Sequence, residues 1–316
     1  MRIRLLRLRR PRSLHPQRSP SPYRTRSPNR TPARRRIREN EKERDTMIKE
    51  IHINTLEELM PLLSEQEDRP DLGRNRSPYV YRGMTNADFR MVTSLRRNCK
   101  QLQRTLEPAI LKNFAKYAVI EDPGVAQSVW HQMILGQHHG LPTRLLDWTQ
   151  SALVALHFAV SEENLEHMAD HDCMVWRMDI RELHALLPEN YQQVMRRYQA
   201  EVFSVDMLAD AARSLEQYDR ELGDRAMVVL EPPSINARIV NQYSFFSVVP
   251  MEMENVEDFL QRCTQNSVKY VIDRSLRWRV RDMLDQLNMS ERIVYPGLDG
   301  LSKWIGRHYF VKEQEA

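Results

Sequence analysis

The most chemically capable side chains of this sequence are concentrated between residues 137 and 149. The polar members of this run are His138, His139, Thr143, Arg144, Asp147 and Thr149. A histidine can exchange a proton near neutral pH, and a nearby aspartate can orient it. Gly140 and Pro142 predict a turn within the run, because glycine allows positive φ and proline fixes φ at about −65°. The apolar residues 151–160 predict a buried helix behind the turn, so we expect a candidate site held against a rigid element.

Each of these side chains has a structural alternative to a role in a site. Adjacent side chains point in different directions, so only one of the two histidines is expected to contact a ligand or act as an acid or base. We favour His139, because it borders the turn. Asp147 is expected to pair with Arg144 or with a main-chain amide. Trp148 can either stack on an aromatic ring of a ligand or pack in the core with its N–H satisfied, and Thr143 can cap the loop or contact a phosphate.

A second candidate position is Arg82, which precedes Gly83 at the end of a strand predicted over residues 79–83. A guanidinium presents a planar fork of donors that suits a phosphate or a carboxylate. The glycine would let a ligand approach the backbone closely. The alternative is that Arg82 forms a structural ion pair.

Four stretches together resemble the signature of the FRG-domain family, which is named for an aromatic-Arg-Gly motif near its start. The stretches are Tyr81–Gly83, Gln137–Thr149, Ala237–Phe246 and Tyr295–Gly300. They occur in the family's order over roughly residues 50–312. The resemblance implies membership of the family more than it implies a particular activity.

Residues 147–159 have a further resemblance, to the strand-to-helix step of ADP-ribosyltransferases. Those enzymes also place an arginine on an early strand, as at Arg82, and a catalytic glutamate on a third strand. The matching position here is Gln242. An amide can bind a ribose hydroxyl, but it cannot stabilise a developing cation by charge. The likeness is an analogy at the level of the fold.

This second resemblance implies NAD as the cofactor. His139 and Gln242 would be the catalytic residues. The residues expected to bind the cofactor are Arg82, Gly83, Thr143, Arg144, Asp147, Trp148 and Thr149. We expect Arg82, His139, Arg144, Asp147 and Gln242 to converge on one cleft.

Short strands interleaved with helices predict an α+β fold, with one domain over residues 47–316 and helical insertions. The resemblance would make this fold ADP-ribosyltransferase-like. Three functions stay open. The first is an NAD-dependent ADP-ribosyltransferase-like enzyme or NAD hydrolase. The second is a module that binds a nucleotide or other phospholigand without chemistry. The third is a protein that associates with nucleic acid through a basic arm.

The basic arm is residues 1–46, which hold 15 Arg and 1 Lys against 4 acidic residues, a net charge of +12. The whole chain carries +4, so the remaining residues carry −8. The Ser-Pro and Arg-Ser pairs of the basic arm predict disorder. It is interpreted as a nucleic-acid-binding arm, as a solvated tail, or as a segment that is not translated because Met47 is the start. The acidic remainder argues against a broad nucleic-acid-binding face on the folded part.

Composition also bears on location. No apolar run approaches the ~18–20 residues that span a membrane, and the first twelve residues lack the pattern of a signal peptide. The three cysteines are an odd number and far apart, which favours a reducing compartment. We expect a cytoplasmic protein, or a nuclear one if the arm is expressed in a eukaryote.

His167 and His171 lie four residues apart in a polar stretch, and we expect no metal there. The sequence does not indicate an oligomeric state.

Overall fold

The structure is a computed structural model, and it describes residues 48–126, 128–234 and 236–312. The predicted basic arm, residues 1–46, lies outside the described residues, so its disorder and the domain boundary at Met47 stay predictions.

Nine strands and fourteen α-helices form within the described residues. The strands are β1 (Lys49–Ile53), β2 (Glu67–Arg69), β3 (Arg74–Arg76), β4 (Tyr79–Met84), β5 (Leu145–Thr149), β6 (Cys173–Asp179), β7 (Val228–Leu230), β8 (Ser244–Val248) and β9 (Val268–Ile272). The helices are α1 (Met60–Leu63), α2 (Ser94–Cys99), α3 (Gln103–Ala118), α4 (Val129–His138), α5 (Ala152–Ala159), α6 (Ile180–Ala185), α7 (Glu189–Tyr198), α8 (Val205–Ala211), α9 (Leu215–Leu222), α10 (Ala237–Asn241), α11 (Val256–Cys263), α12 (Arg277–Gln286), α13 (Glu291–Val294) and α14 (Leu298–His308).

Seven strands form one mixed sheet in the order β1-β9-β6-β4-β5-β8-β7. β1 and β9 are parallel, and the other neighbours are antiparallel. β4 pairs with β6 over its whole length, and β5 does the same with β8. Between β4 and β5, however, only Tyr81 and Thr149 are paired. The sheet therefore opens at its centre, and we call this opening the β4–β5 split.

Helix α5 packs directly on β4, and this contact depends on Gly83. A Cβ added at Gly83 would lie 1.9 Å from the main-chain oxygen of Ala155 and 2.6 Å from the nitrogen of Ala159. Side chains alternate along the strand, so Tyr81 packs with α5 and α12 while Val80 packs with α6 and α11 on the opposite face. A third cluster of buried residues joins α3, α4 and α7–α9 to β7 and β8. The central strand is thus fixed from both faces.

The predicted α+β fold is confirmed, and the described residues belong to one compact unit. The spacing of Thr55 and Glu58 predicts a capping box, and it is present: Glu58 N donates to Thr55 Oγ1 at 3.4 Å, and Thr55 N donates to the Glu58 carboxylate at 3.3 Å. Two predictions were wrong. The charged, Gly- and Pro-containing composition of residues 66–77 predicts a loop, but they contain the β2–β3 hairpin. Residues 138–149 were expected to form a loop that lines the pocket, but 145–149 form β5.

Candidate functional site

The side chain of Arg82 lies at the β4–β5 split. Its Nη1 donates to the main-chain oxygen of Asp147 at 2.6 Å and lies 3.7 Å from the Asp147 carboxylate. The side chain is 20% exposed. Its Nε is buried without a hydrogen-bond partner, and its Nη2 has none within the described part of the chain. Burial lowers the pKa of Arg82, while the nearby Asp147 opposes that shift. The guanidinium therefore bridges the two strands and keeps donor capacity free.

Asp147 points its carboxylate toward solvent, with 59% of the side chain exposed. Gln137, at the end of α4, donates from Nε2 to both carboxylate oxygens at 3.0 Å. The other end of the same amide accepts from Thr143 Oγ1 at 2.6 Å. Because its Oε1 is engaged as an acceptor, the Gln137 amide is fixed with its NH₂ group toward Asp147. The exposed carboxylate is therefore held in place by a residue outside the expected set.

Thr149 links the end of β5 to the segment before β8. Its Oγ1 donates to the main-chain oxygen of Gln242 at 2.6 Å and accepts from Ser151 N at 3.0 Å. The Gln242 side chain donates from Nε2 to the oxygen of Val294 at 3.1 Å. Thr149 is also the residue of β5 that pairs with Tyr81 of β4. The strand that bears Arg82, the end of β5 and Gln242 are therefore neighbours. The amide of Gln242 is engaged with α13.

The two histidines of the central run differ in environment. Asn236 Oδ1 accepts from Ile239 N at 3.0 Å, which fixes the Asn236 amide so that its Nδ2 donates to His138 Nε2 at 2.7 Å. His138 is therefore an acceptor in its neutral form, and burial together with the charge of Arg238 lowers the pKa of His138. His139 follows the end of α4 and is exposed, with its ring 5.0 Å from that of His138. Thus His138 anchors α10, and His139 is the accessible member of the pair.

Arg144 lies in the core, where it binds two carboxylates. Its Nε and Nη2 bind Glu107, and its Nη1 binds Asp219 at 2.6 Å. The expected pairing of Asp147 with Arg144 is wrong. All three guanidinium nitrogens are engaged with buried carboxylates, so Arg144 does not join the other predicted residues at the split.

Three other predicted site residues also use their functional groups internally. Trp148 is 3% exposed and donates from Nε1 to Ser247 Oγ at 3.0 Å. The Thr143 hydroxyl is shared between Gln137 and the amide of Leu145. The space beside Gly83 is filled by α5, so this glycine allows close approach of a helix and not of a ligand.

Tyr295, which follows α13, was quoted in a family-like stretch but was not predicted as a site residue. The Arg238 Cζ atom lies 5.2 Å from the centre of its ring, and the Lys303 Nζ atom lies 5.6 Å from it. The rings of His157 and Phe158 lie 6.3 Å away. Burial raises the pKa of Tyr295, so the phenol is protonated at neutral pH. The sequence could have indicated Arg238 and Tyr295 as candidate site residues, because they lie in the family-like stretches 237–246 and 295–300.

A cavity of about 490 Å³ lies elsewhere, between α3, α4 and the start of α9. Apolar side chains such as Leu111, Val129 and Leu215 form much of its wall. No predicted site residue lines it. In the described ranges, no group of three or more His, Cys, Asp or Glu side chains is arranged to hold a metal ion, and no helix has the length and apolar character to cross a membrane.

Comparison with known proteins gives one match. Residues 77–168 match the family model of the FRG domain. The matched segment runs from β4 to beyond α5, so it includes Arg82, Gln137, Asp147 and Thr149. The searches of curated proteins and of solved structures gave no match.

Proposed function

The chain carries an FRG domain, and we propose that this domain binds NAD or a closely related nucleotide at the β4–β5 split. The observation that carries the proposal is the state of the Arg82 guanidinium. A buried N–H without a partner costs roughly 1–3 kcal/mol, and Nε of Arg82 is in this position. The unpartnered Nη2 would donate to a phosphate oxygen, and a shift of the side chain toward the ligand would bring Nε alongside it as a second, parallel donor.

Other groups at the split suit the rest of such a ligand. Asp147 presents an exposed carboxylate that can accept from ribose hydroxyls, and Gln137 holds it in one orientation. Trp148 is excluded as a stacking surface by its burial. The residues that would hold the nucleotide are therefore Arg82 for the diphosphate and Asp147 for a ribose.

A specific observation favours ADP-ribosyl chemistry as a second, more detailed function. The resemblance to ADP-ribosyltransferases is carried by Arg82, by the segment that begins at residues 147–149 and by Gln242. They lie next to one another across neighbouring strands, through the Tyr81–Thr149 pair and the Thr149–Gln242 hydrogen bond. NAD, when bound, supplies an ADP-ribosyl group whose bond to nicotinamide is broken in the reaction.

The roles of the residues in this chain would then differ from those that the resemblance implies. Gln242 has no charge, and its amide is engaged with Val294. Asp147 places a negative charge at the same edge of the sheet, where it would stabilise positive charge developing on a ribose. We therefore assign the electrostatic role to Asp147 and a positioning role to Gln242. His139 is accessible for proton exchange.

Nucleic-acid binding through residues 1–46 concerns a segment outside the described residues and stays a prediction.

Nucleotide binding is tested with Arg82→Lys, which keeps the charge but loses the planar fork. We expect the affinity for NAD, measured by calorimetry, to fall by roughly 1–3 kcal/mol, the range for a charged hydrogen bond. The melting temperature should change little. Arg104→Lys is the control, because Arg104 is an exposed arginine paired with Glu252. Absence of NAD binding in the wild type, or a loss of stability in Arg82→Lys without a binding defect, would overturn the proposal.

Catalysis is tested separately by measuring nicotinamide release from NAD. We expect release by the wild type to be lost in Asp147→Asn while NAD still binds. Gln242→Glu introduces a carboxylate, which cannot donate to Val294 O and so frees the side chain for the site. Release should be retained or increased in that variant. If neither the wild type nor Gln242→Glu releases nicotinamide, the domain is a binding module.

A further inference from the structure

We propose that Arg238, Tyr295 and Lys303 form a second anion-binding subsite, which we call the Tyr295 cluster. The ligand of the split would then carry a phosphate group beyond its diphosphate, as a phosphorylated dinucleotide does. This inference rests on the proposed function and specifies the class of ligand.

The two cations of the Tyr295 cluster come from different helices and meet over one ring. Arg238 belongs to α10 and Lys303 to α14, and they lie 5.2 Å and 5.6 Å from the ring centre. Each is exposed. Neither forms a hydrogen bond or an ion pair with any residue in the described ranges. Contact with the ring orients each cation without neutralising it, so both retain their capacity for an anion.

The cluster is also held in position by contacts around it. Asn241 Nδ2 donates to Ile293 O at 2.8 Å, and Gln242 Nε2 donates to Val294 O. These two bonds fix the end of α10 against α13, which immediately precedes Tyr295. On the other side, a Cβ added at Gly300 would lie 1.8 Å from the Tyr295 oxygen. The glycine therefore lets α14 approach closely and carry Lys303 to the ring.

The cluster and the split are connected by hydrogen bonds that run from the end of β5 to the residue before Tyr295. Thr149 Oγ1 donates to the main-chain oxygen of Gln242 at 2.6 Å, and Gln242 Nε2 donates to Val294 O at 3.1 Å, directly before Tyr295. Burial raises the pKa of Tyr295, and Asp147 is one of two acidic groups whose charge adds to that rise. The other acidic group acting on Tyr295 is Glu291, which is bound by Arg307 through two hydrogen bonds of 2.7 Å and 2.8 Å. Glu291 therefore does not neutralise the cluster.

Charge distribution favours a small ligand over a nucleic acid. Residues 47–316 carry a net charge of −8, whereas the split and the Tyr295 cluster together supply the cations Arg82, Arg238 and Lys303. A local excess of cations on an otherwise acidic domain attracts a compact polyanion. A long nucleic-acid backbone would also meet the acidic remainder. A phosphate monoester carries about −1.5 to −2 charges at neutral pH, which matches two adjacent cations.

The test compares NAD with NADP, which differs by one phosphate monoester, on the full chain by calorimetry. We expect NADP to bind at least about tenfold more tightly than NAD, since charged hydrogen bonds add at the second subsite. The double variant Arg238→Gln/Lys303→Gln should bind the two dinucleotides with equal affinity, and the ratio of NADP affinity to NAD affinity is the quantity compared with wild type. The control is Arg225→Gln/Lys112→Gln, which removes two exposed cations away from the cluster and should leave the NADP preference intact.

The outcomes separate this inference from the proposed function. If NAD binding depends on Arg82 but NADP binds no better than NAD, the subsite is wrong and the nucleotide site stands. If NADP is preferred but the double variant keeps the preference, the Tyr295 cluster is not the subsite. If NAD and NADP both fail to bind and single-stranded RNA binds through Arg238 and Lys303, both proposals fail together.

Discussion

Arg144 and Glu107 form an ion pair in the interior of the domain, with each side chain only 3% exposed. Asp219 binds the same guanidinium. Removing the cation would leave the buried Glu107 carboxylate without its partner and Asp219 with only the Met251 amide as a donor, which costs roughly 3–5 kcal/mol. We therefore expect Arg144→Met to lower the free energy of unfolding by about that amount in urea titrations. Arg104→Met, which breaks an exposed pair with Glu252, should cost at most about 1 kcal/mol.

The same experiment shows whether Arg144 takes part in binding. In the folded fraction of Arg144→Met, affinity for NAD should equal that of the wild type. A selective loss of affinity with unchanged stability would contradict the structural role and would show that Arg144 takes part in ligand binding.

Gly83→Ala is expected to be strongly destabilising. Its new methyl group would overlap the backbone of α5, which cannot move without disturbing the core on that face of the sheet. We expect a loss of several kcal/mol in unfolding free energy or failure to fold, measured by thermal denaturation and soluble yield. Gly306→Ala is the matched control, because nothing lies within 4 Å of an added Cβ there. That substitution in α14 should be neutral or stabilising by up to about 1 kcal/mol. Equal behaviour of the two variants would contradict the proposed packing role of Gly83.

Trp148→Phe should lower stability without changing NAD affinity. The indole N–H donates to Ser247 in the core, and its loss leaves a buried hydroxyl with one partner fewer, at roughly 1–3 kcal/mol. Trp176→Phe is the control for size, because Trp176 is equally buried but its Nε1 has no partner among the described residues. Chemical denaturation should show a smaller loss for Trp176→Phe. A tenfold drop in NAD affinity in Trp148→Phe alone would mean that Trp148 contacts the ligand.

Acid should destabilise the domain through two buried histidines. Burial lowers the pKa of His157 to about 3 and that of His184 to about 4. Histidine in the unfolded chain titrates near 6.5, so the unfolded state binds more protons below that pH. The contribution of the two neutral histidines to the unfolding free energy is therefore fully present above pH ~6.5. As the pH decreases toward 4, the unfolding free energy falls by up to about 3 kcal/mol per pH unit for the two groups together.

The measurement is the unfolding free energy in urea between pH 7 and pH 4.5. His184→Gln should reduce the slope with pH by up to about 1.4 kcal/mol per pH unit. Tyr191→Phe, a substitution at an equally buried position that removes no group titrating in this range, should leave the slope unchanged. A stability that is flat from pH 7 to pH 5 would contradict the neutral, buried state of both histidines.

Local patterns in the sequence predicted many elements because their causes are local. The sequence predicts a helix near residues 256–263 and a strand over residues 268–272, and both predictions match α11 and β9. The capping box at Thr55 was found for the same reason. The strand β5 was missed because it holds an exposed aspartate between buried residues, at the point where the sheet opens. A polar residue at that position looks like part of a loop unless the split is known.

The site was predicted less completely than the fold because its contacts are distant in sequence. The partners of Arg144 lie 37 and 75 positions away, and no local pattern indicates them. Gln137 was visible in the central run, yet its bond to Asp147 depends on how α4 ends against β5. Lys303 reaches Tyr295 only because of the close helix contact at Gly300.

The split also gives the sheet an unpaired edge in its interior. Beyond the Tyr81–Thr149 pair, β4 and β5 do not pair with each other, and unpaired strand edges are templates for intermolecular pairing and aggregation. Charged side chains on an edge oppose such pairing, and Arg82 and Asp147 lie where the two strands separate. Their charges therefore protect the chain's solubility as well as forming its candidate site, and a neutral residue at either position would favour self-association through the centre of the sheet.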